Sequence, residues 1–390
     1  MSSTTLYASR YQTTAVEDRI SKPSSPARLK FIEGMRAVAA LYVALGHIAN
    51  IVDPSFLMGI DSHAPLWLQN LLAPFHYGHL AVAAFIVISG FCLRWAAIQR
   101  KDPDAKKFGA FLIRRFKRIL PPYYACLLIS TLVAIYITPI PGKPPYSIYL
   151  PVTEPNLLAH LFLVQNLNSA WMYKINGVLW SIAIEFQIYF VFRILGLSLK
   201  TMGKVLTLAL IGSLVWLALS KIDGIKFYPW YVGLFAVGMI AADFSRYRQV
   251  RSRMGGLILW ASLAVAAYGI VHHWNLFGTD VPVGIATACA LFIGGRRGTK
   301  SMIVRVFSWR PLAFVGAFSY SFYLMHDPVL QSLSIFHPWW VKDQTTMLIY
   351  LALIALPISM LFSLLFALVF EGQYVRRAIR DVFRARKSVA

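Results

Sequence analysis

The sequence predicts an all-α protein, a polytopic integral membrane bundle of about ten transmembrane helices. Of the 390 residues, 58% are hydrophobic and only 14% are charged. A soluble domain has about a quarter of its residues charged, so this chain has too little polar surface to face water on all sides. Long apolar runs recur along the chain, and its basic residues cluster in alternate connections between them. Both patterns are typical of a chain that crosses a bilayer many times.

The apolar runs define the predicted spans, because a helix needs about 20 mostly apolar residues to cross a bilayer. The ten predicted spans are 31–52, 79–98, 112–138, 177–196, 203–220, 229–244, 254–271, 279–295, 312–333 and 345–370. The run at 156–165 is too short to span, and we interpret it as an interfacial or re-entrant segment. Pro357 lies inside the last span and predicts a kink there, which neighbouring helices can accommodate.

The distribution of Lys and Arg predicts the orientation, since basic residues collect in cytoplasmic loops. Of the 38 basic residues, 32 fall in the two tails and alternate connections, five fall in the other connections, and Arg36 lies inside a span. This alternation places both termini in the cytoplasm of a multi-pass protein of the cell membrane. It also explains the net charge of +22, so we expect no nucleic-acid partner.

The same analysis divides the chain into three parts. Residues 1–29 are rich in Ser and Thr and predict a disordered cytoplasmic tail. Residues 30–372 form the transmembrane domain, and residues 373–390 form a basic cytoplasmic tail. Within the domain, the longest non-cytoplasmic stretch is 139–176, which is rich in Pro and aromatic residues. We expect this stretch to be an ordered cap over one face of the bundle.

Ionisable residues within predicted spans indicate functional sites, because they are costly in the membrane. The first span contains Arg36 and His47, eleven residues apart. At 100° and 1.5 Å per residue they lie within ~20° of one helix face and ~16 Å apart along it. They therefore predict a polar track from the cytoplasmic side towards the outer side. A snorkelling Arg with a packed core His is the structural alternative.

Two further ionisable residues are predicted at the depth of His47. Glu185 lies in the outer half of the fourth span, and His326 lies near the outer end of the ninth. Because imidazole titrates near neutral pH, a His beside a carboxylate is a candidate general base for an attacking hydroxyl. We therefore predict a catalytic cluster of His47, Glu185 and His326 near the outer face. The structural alternative is that each His is a packed core residue.

On the cytoplasmic side, Arg114, Arg115 and Arg118 crowd the start of the third span. Membrane topology alone accounts for basic residues there, but Arg also binds phosphate in a bidentate manner. Ser89 and Gly90 in the second span permit a close approach, either of a ligand or of a neighbouring helix. The three cysteines form no close-spaced ligand pattern, so we expect no metal site.

Several segments together resemble the acyltransferase-3 family of membrane O-acyltransferases. The segment RLKFIEGMRAVAALYVALGH (28–47) contains Arg36 and His47 and resembles the opening motif of the family. The matching segments that follow in order are HLAVAAFIVISGF (79–91), FLIRRFKRILPPYY (111–124), LWSIAIEFQIYF (179–190) and FVGAFSYSFYLMHDPV (314–329). FEGQY (370–374) is similar to the closing Glu-x-Pro segment, except that Gln373 stands in place of Pro. The resemblance extends from about residue 28 to residue 375.

The resemblance implies transfer of an acyl group, usually acetyl, from cytoplasmic acyl-CoA to a hydroxyl of the acceptor. It implies essential roles for Arg36 and His47 and a donor-binding role for Arg114, Arg115 and Arg118. Acyl-CoA is then a donor substrate, and no permanently bound cofactor is expected. The implied acceptors include a cell-envelope or exported glycan, a glycolipid and a macrolide.

The predicted geometry supports a mechanism in which the pantetheine arm threads the bundle past Arg36 towards His47. His47 then deprotonates the acceptor, with Glu185 or His326 in support. Direct transfer and an acyl-His intermediate both stay open. The alternative functions are a polytopic transporter or exporter and a non-enzymatic scaffold. We find no internal repeat of the kind that many transporters contain, and a scaffold leaves the Arg36–His47 track unexplained.

Overall fold

The computed structural model describes residues 26–100, 107–142, 144–221, 228–245 and 252–384. All regular secondary structure in these ranges is helical, which confirms the predicted all-α class. In chain order the α-helices are α1 (Pro26–Val52), α2 (Ser55–Met58), α3 (Leu66–Leu72), α4 (Gly78–Gln99), α5 (Phe108–Tyr136), α6 (Glu154–Leu161), α7 (Leu179–Thr201), α8 (Gly203–Lys221), α9 (Trp230–Phe244), α10 (Ser252–Val271), α11 (Leu276–Arg297), α12 (Met302–Phe307), α13 (Arg310–Ala317), α14 (Ser319–Ile335), α15 (Gln344–Tyr350), α16 (Leu356–Phe370) and α17 (Gly372–Arg384).

Within the described ranges, seven helical stretches are long and apolar enough to cross a membrane. They are Lys30–Val52, Leu66–Gln99, Phe108–Tyr136, Leu179–Thr201, Ser252–Val271, Leu276–Lys300 and Gln344–Phe370. Two further predicted spans correspond to shorter apolar stretches, Gly203–Val215 and Trp230–Phe244. The protein is therefore a multi-pass membrane protein, and ten is an approximate number of crossings.

Two predicted spans are not continuous α-helices. The span 312–333 is divided between α13 and α14, which meet at Phe318. The span 345–370 contains a π-helical turn, Leu351–Ala355, between α15 and α16. Pro357 lies in the first turn of α16, where its missing N–H leaves a carbonyl of the preceding turn without its usual donor. A π-turn beside a proline is a recognised way to accommodate this loss within a helix.

The structure describes only part of the two predicted tails but nearly all of the cap. Residues 1–25 of the predicted tail lie outside the described residues, and α1 begins at Pro26. In the predicted C-terminal tail, residues up to Arg384 belong to α17. The predicted short segment at 156–165 contains most of α6, which the side chains of Thr153 and Asn156 cap. The cap contacts the bundle, since the hydroxyls of Tyr146 and Ser334 lie 2.9 Å apart.

The centre of the bundle depends on a close crossing of α4 and α9. Gly90 faces the backbone carbonyl of Phe235, and Gly238 faces that of Val87, so that a side chain at either glycine would overlap backbone. Small residues allow such an approach between membrane helices. Near the C-terminal end of α4, Arg94 Nε donates to Asp243 Oδ1 at 2.8 Å. The crossing fixes α4, which contributes residues to both cavities of the candidate site.

The crossing generates a stability prediction for Gly90→Ala. The added methyl group would overlap the Phe235 carbonyl, so the helices must separate, and we expect a loss of about 1–3 kcal/mol. The matched control is Gly256→Ala in α10, where a Cβ meets no atom within 4 Å. The measurement is the thermal midpoint of the detergent-solubilised protein, followed by the loss of the monodisperse peak on size exclusion. Equal midpoints for the two variants would contradict this account of the crossing.

Candidate active site

A histidine–carboxylate pair lies between α1 and α14. His47 Nδ1 is 3.0 Å from Asp327 Oδ1. Asp327 is 1% exposed, whereas His47 retains 18% exposure. Because a buried carboxylate needs donors, the proton on His47 is assigned to Nδ1 and points at Asp327. The other ring nitrogen, Nε2, is then free to accept a proton.

The cap and the residue that follows it donate two further hydrogen bonds to Asp327. Tyr149 donates its hydroxyl to Oδ1 at 3.3 Å, and the backbone N–H of Gly177 donates to Oδ2 at 3.2 Å. Burial and the neighbouring Asp327 carboxylate raise the pKa of Tyr149 well above its usual value, so the phenol stays protonated as a donor. Asn176 anchors this part of the cap by donating to Ser130 Oγ at 2.9 Å and to the Leu324 carbonyl at 3.2 Å.

His326 lies beside the pair but is oriented differently. Its ring is edge-on to that of His47, with centroids 5.1 Å apart. Its Nδ1 is 2.9 Å from the Phe322 carbonyl one turn earlier, so it carries the proton in that bond. Its Nε2 is buried and has no hydrogen-bond partner among the described residues. His326 therefore packs against the His47 ring and leaves the orientation of His47 to Asp327.

His47 opens onto a cavity of about 590 Å³, which we call the outer cavity because the predicted orientation places it on the outer side. Aromatic side chains form much of its wall: Phe75, Tyr149, Tyr173, Trp180, Tyr228 and Tyr323. The cavity is also lined by aliphatic residues and by five polar or charged side chains: Asn50, His76, His79, Ser169 and Lys174. A cavity of this kind suits a ligand with flat apolar faces and polar edges.

A second, inner cavity of about 100 Å³ lies among α1, α4, α5, α7 and α14. Three arginines line it: Arg36, Arg115 and Arg118. The Nε atom of Arg115 is buried and has no hydrogen-bond partner among the described residues. Glu185 lines the same cavity and accepts from Ser89 Oγ at 2.6 Å and from the Tyr189 hydroxyl at 2.7 Å. The inner cavity thus combines a cationic wall with one hydrogen-bonded carboxylate.

The two cavities have Val82 and Tyr323 in common. The Tyr323 hydroxyl lies 2.7 Å from Ser181 Oγ, which connects α14 to α7 at this point. The position of Arg36 on the inner cavity and of His47 on the outer one agrees with the predicted track along α1. Val82 and Tyr323 therefore lie at the boundary between the two cavities, which a ligand that extended from one to the other would have to pass.

The structure separates Glu185 from the two histidines with which it was grouped. His47 and His326 are in ring contact, but Glu185 lines the inner cavity. Its two hydrogen-bond partners, Ser89 and Tyr189, line the same cavity and hold the carboxylate there. Asp327 is the carboxylate that pairs with His47.

The predicted donor-binding residues are also divided. Arg115, Arg118 and Ser89 line the inner cavity. Arg114 instead lines a small adjacent pocket with Arg100, and Leu93 and Arg115 line both that pocket and the inner cavity. Gly90 is used in packing against α9, so of its two predicted roles the structure supports the contact with a neighbouring helix.

Sequence reasoning assigned no role to Asp327, Tyr189 or Glu371. Glu371 is buried after the end of α16 and accepts a hydrogen bond from Ser321 Oγ at 2.5 Å. Burial raises the pKa of Glu371, and Arg118 and Arg36 act in the opposite direction. For Asp327 a signal was present in its position directly after His326. For Tyr189 the signal was its spacing of four residues from Glu185, which places both on one helix face.

Comparisons with known proteins give a consistent result. The model of the acyltransferase-3 family, described as an acyltransferase domain, matches residues 29–370. A protein of Staphylococcus aureus (strain COL), whose name marks it as a predicted O-acetyltransferase, is 23% identical over 382 residues. That alignment covers 84% of this chain and 54% of the relative.

Two further relatives carry more specific names. The peptidoglycan O-acetyltransferase OatA of Listeria monocytogenes is 22% identical, over 65% of this chain and 45% of its own length. The acyltransferase MdmB of Streptomyces mycarofaciens is 25% identical, over 79% of this chain and 81% of its own length. The chain thus spans about half the length of the first two relatives.

No solved structure gives a significant match to this chain. The family model nevertheless covers nearly the whole described bundle, including both cavities and the His47–Asp327 pair. The chain therefore belongs to the acyltransferase-3 family.

Proposed function

We propose that this protein is a membrane O-acyltransferase that transfers an acetyl group from cytoplasmic acetyl-CoA to a hydroxyl of a cell-envelope or exported glycan. One observation carries the proposal. A cationic inner cavity and an aromatic outer cavity meet at Tyr323, and the outer one contains a histidine oriented by a buried carboxylate. This arrangement supplies a donor site in the inner cavity, and an acceptor site with a general base in the outer cavity.

The donor assignment rests on charge and size. An anionic ligand is favoured by the positive charges of Arg36, Arg115 and Arg118. Such a ligand could accept a hydrogen bond from the buried Arg115 Nε, which has no partner among the described residues. Arg binds phosphate oxygens in a directed, charge-assisted manner. The inner cavity, at about 100 Å³, suits a thin chain such as the pantetheine arm. The nucleotide end of CoA then remains at the cytoplasmic entrance, in the orientation with both termini inside.

The acceptor assignment rests on the outer wall. Trp180, Tyr173 and Tyr228 present aromatic faces against which the C–H faces of a sugar ring can pack. The polar side chains between them can bind ring hydroxyls. The relative from Listeria is named for action on peptidoglycan, which is in keeping with a glycan acceptor. A glycolipid, or a macrolide with attached sugars, presents the same chemistry.

In the proposed reaction, His47 Nε2 takes the proton of the acceptor hydroxyl while Asp327 holds Nδ1–H. The hydroxyl oxygen attacks the thioester carbonyl and forms the new C–O bond. The C–S bond then breaks, and the CoA thiolate leaves with the proton carried by His47. Asp327 thereby takes the supporting role that the sequence had suggested for Glu185 or His326. An acyl-His47 intermediate is the alternative route to the same products.

The first prediction concerns the general base. His47→Ala should abolish transfer, because the variant lacks the imidazole base. Asp327→Asn should reduce transfer about 10²- to 10⁴-fold, because the imidazole remains but loses the carboxylate that orients it. The measurement is mass spectrometry of envelope glycans and secreted metabolites from cells with and without each variant. The mass gain of one acetyl group should disappear in His47→Ala. Normal acylation at normal protein levels in that variant would refute the mechanism.

The second prediction concerns the donor site. Arg115→Lys keeps the charge but removes the planar donor fork, so we expect the KM for acetyl-CoA to rise about 10- to 100-fold. The matched control is Arg193→Lys, the same change at an exposed position of α7 that lines neither cavity. Initial rates of CoA release in purified membranes measure both. An unchanged KM in Arg115→Lys would show that Arg115 acts only through its positive charge, and an equal rise in both variants would show that the effect is not specific to the inner cavity.

A further inference from the structure

A second histidine–carboxylate pair faces the outer cavity from another side. His79, in the first turn of α4, places Nδ1 2.7 Å from Asp280 Oδ1. The other oxygen of Asp280 accepts from Trp230 Nε1 at 3.0 Å. Asp280 has no solvent exposure, whereas His79 retains 18%. The pair therefore repeats the arrangement of His47 and Asp327, with the carboxylate buried and the imidazole on the cavity wall.

A purely structural role accounts for only part of this geometry. Asp280 connects the outer ends of α4, α9 and α11, which would stabilise the bundle. Such a connection needs Nδ1 of His79 alone. Yet the ring also lines the outer cavity, and among the described residues its Nε2 has no hydrogen-bond partner. A polar atom left on the wall of a largely aromatic cavity is available to a ligand.

The buried carboxylate determines what His79 can bind. Because Asp280 accepts from Nδ1–H, the remaining nitrogen has a lone pair and acts as a hydrogen-bond acceptor. The partner of Nε2 must then be a donor, such as a hydroxyl. The same reasoning applies to His47 Nε2 in the same cavity. A ligand that satisfies both imidazoles offers two separate hydroxyls.

We propose that His79 is a positioning residue that accepts a hydrogen bond from a second hydroxyl of the acceptor and so selects polyhydroxylated acceptors. The inference rests on the function proposed above and assigns one wall of the outer cavity to substrate selection. His79 takes no part in bond making. It holds the acceptor so that a different hydroxyl of the same molecule faces His47, and Asp280 keeps His79 in the tautomer that can do this.

The test uses membranes that contain the full chain, isotopically labelled acetyl-CoA, and the endogenous envelope carbohydrate of a strain that lacks the gene. Two quantities are measured for each variant: label transferred to the carbohydrate fraction, and acetyl-CoA hydrolysed without transfer. A variant that loses only acceptor positioning lowers the first quantity and retains the second. A variant with a damaged fold lowers both.

His79→Asn keeps a donor near Asp280 but removes the acceptor at Nε2, so transfer should fall about 5- to 100-fold while hydrolysis changes less than about twofold. His79→Gln places an amide oxygen near the Nε2 position and should recover most of the transfer. Asp280→Asn should resemble His79→Asn, because its amide favours the other tautomer of His79. His272→Asn, the same change at an exposed position directly after α10 that lines neither cavity, is the matched control.

The outcomes separate the inference from the function on which it rests. Transfer to carbohydrate that His79→Asn leaves unchanged would overturn the role of His79 and leave the proposed function intact. Parallel loss of transfer and hydrolysis in both His79 variants would assign the pair a structural role instead. Label found only on monohydroxylated molecules would overturn the selection of polyhydroxylated acceptors. A wild-type chain that transfers no label contradicts the proposed function and this inference together.

Discussion

The burial of the Asp327 carboxylate is the constraint on which the outer half of the structure depends. In a bundle surrounded by lipid, an ionised group without partners is expensive, and Asp327 is 1% exposed. Its oxygens accept from His47 in α1, from Tyr149 in the cap and from the backbone of Gly177, the residue that follows the cap. Satisfying one carboxylate therefore brings the cap down onto the bundle and orients the imidazole at the same time.

The cap is consequently part of the candidate site. Gly177 lies against the ring of Tyr149, where a Cβ would be 3.0 Å from ring carbon Cε1. The absence of a side chain lets the backbone N–H approach the carboxylate beside the phenol. Asn176 holds the preceding position against α5 and α14. Sequence changes in this stretch would act on the orientation of His47 as well as on the shape of the outer cavity.

Hydropathy predicted the helical class and most spans, because long apolar helices leave a strong signal in the composition of their residues. The break at Phe318 left no comparable signal, since neither Gly nor Pro occupies that position. Counting residues along a span locates its ends only approximately, so the count could not assign Glu185 to one cavity or the other. The partner of His47 depends on how α14 is rotated against α1, and single-helix periodicity contains no information on that contact. The aligned positions of Arg36 and His47 were predictable because both lie on one helix.

The different linings of the two cavities favour acyl transfer over transport of one solute through the bundle. A transporter must expose the same binding site to both sides, usually by rocking one group of helices against another. Here arginines line the inner cavity and aromatic side chains line much of the outer one, so the two cavities do not offer one solute the same binding site. The glycine contacts and the Arg94–Asp243 ion pair hold α4 against α9 beside the inner cavity. Two different substrates that enter from opposite sides and meet at Tyr323 need no such rearrangement, and only the acyl group has to pass between them.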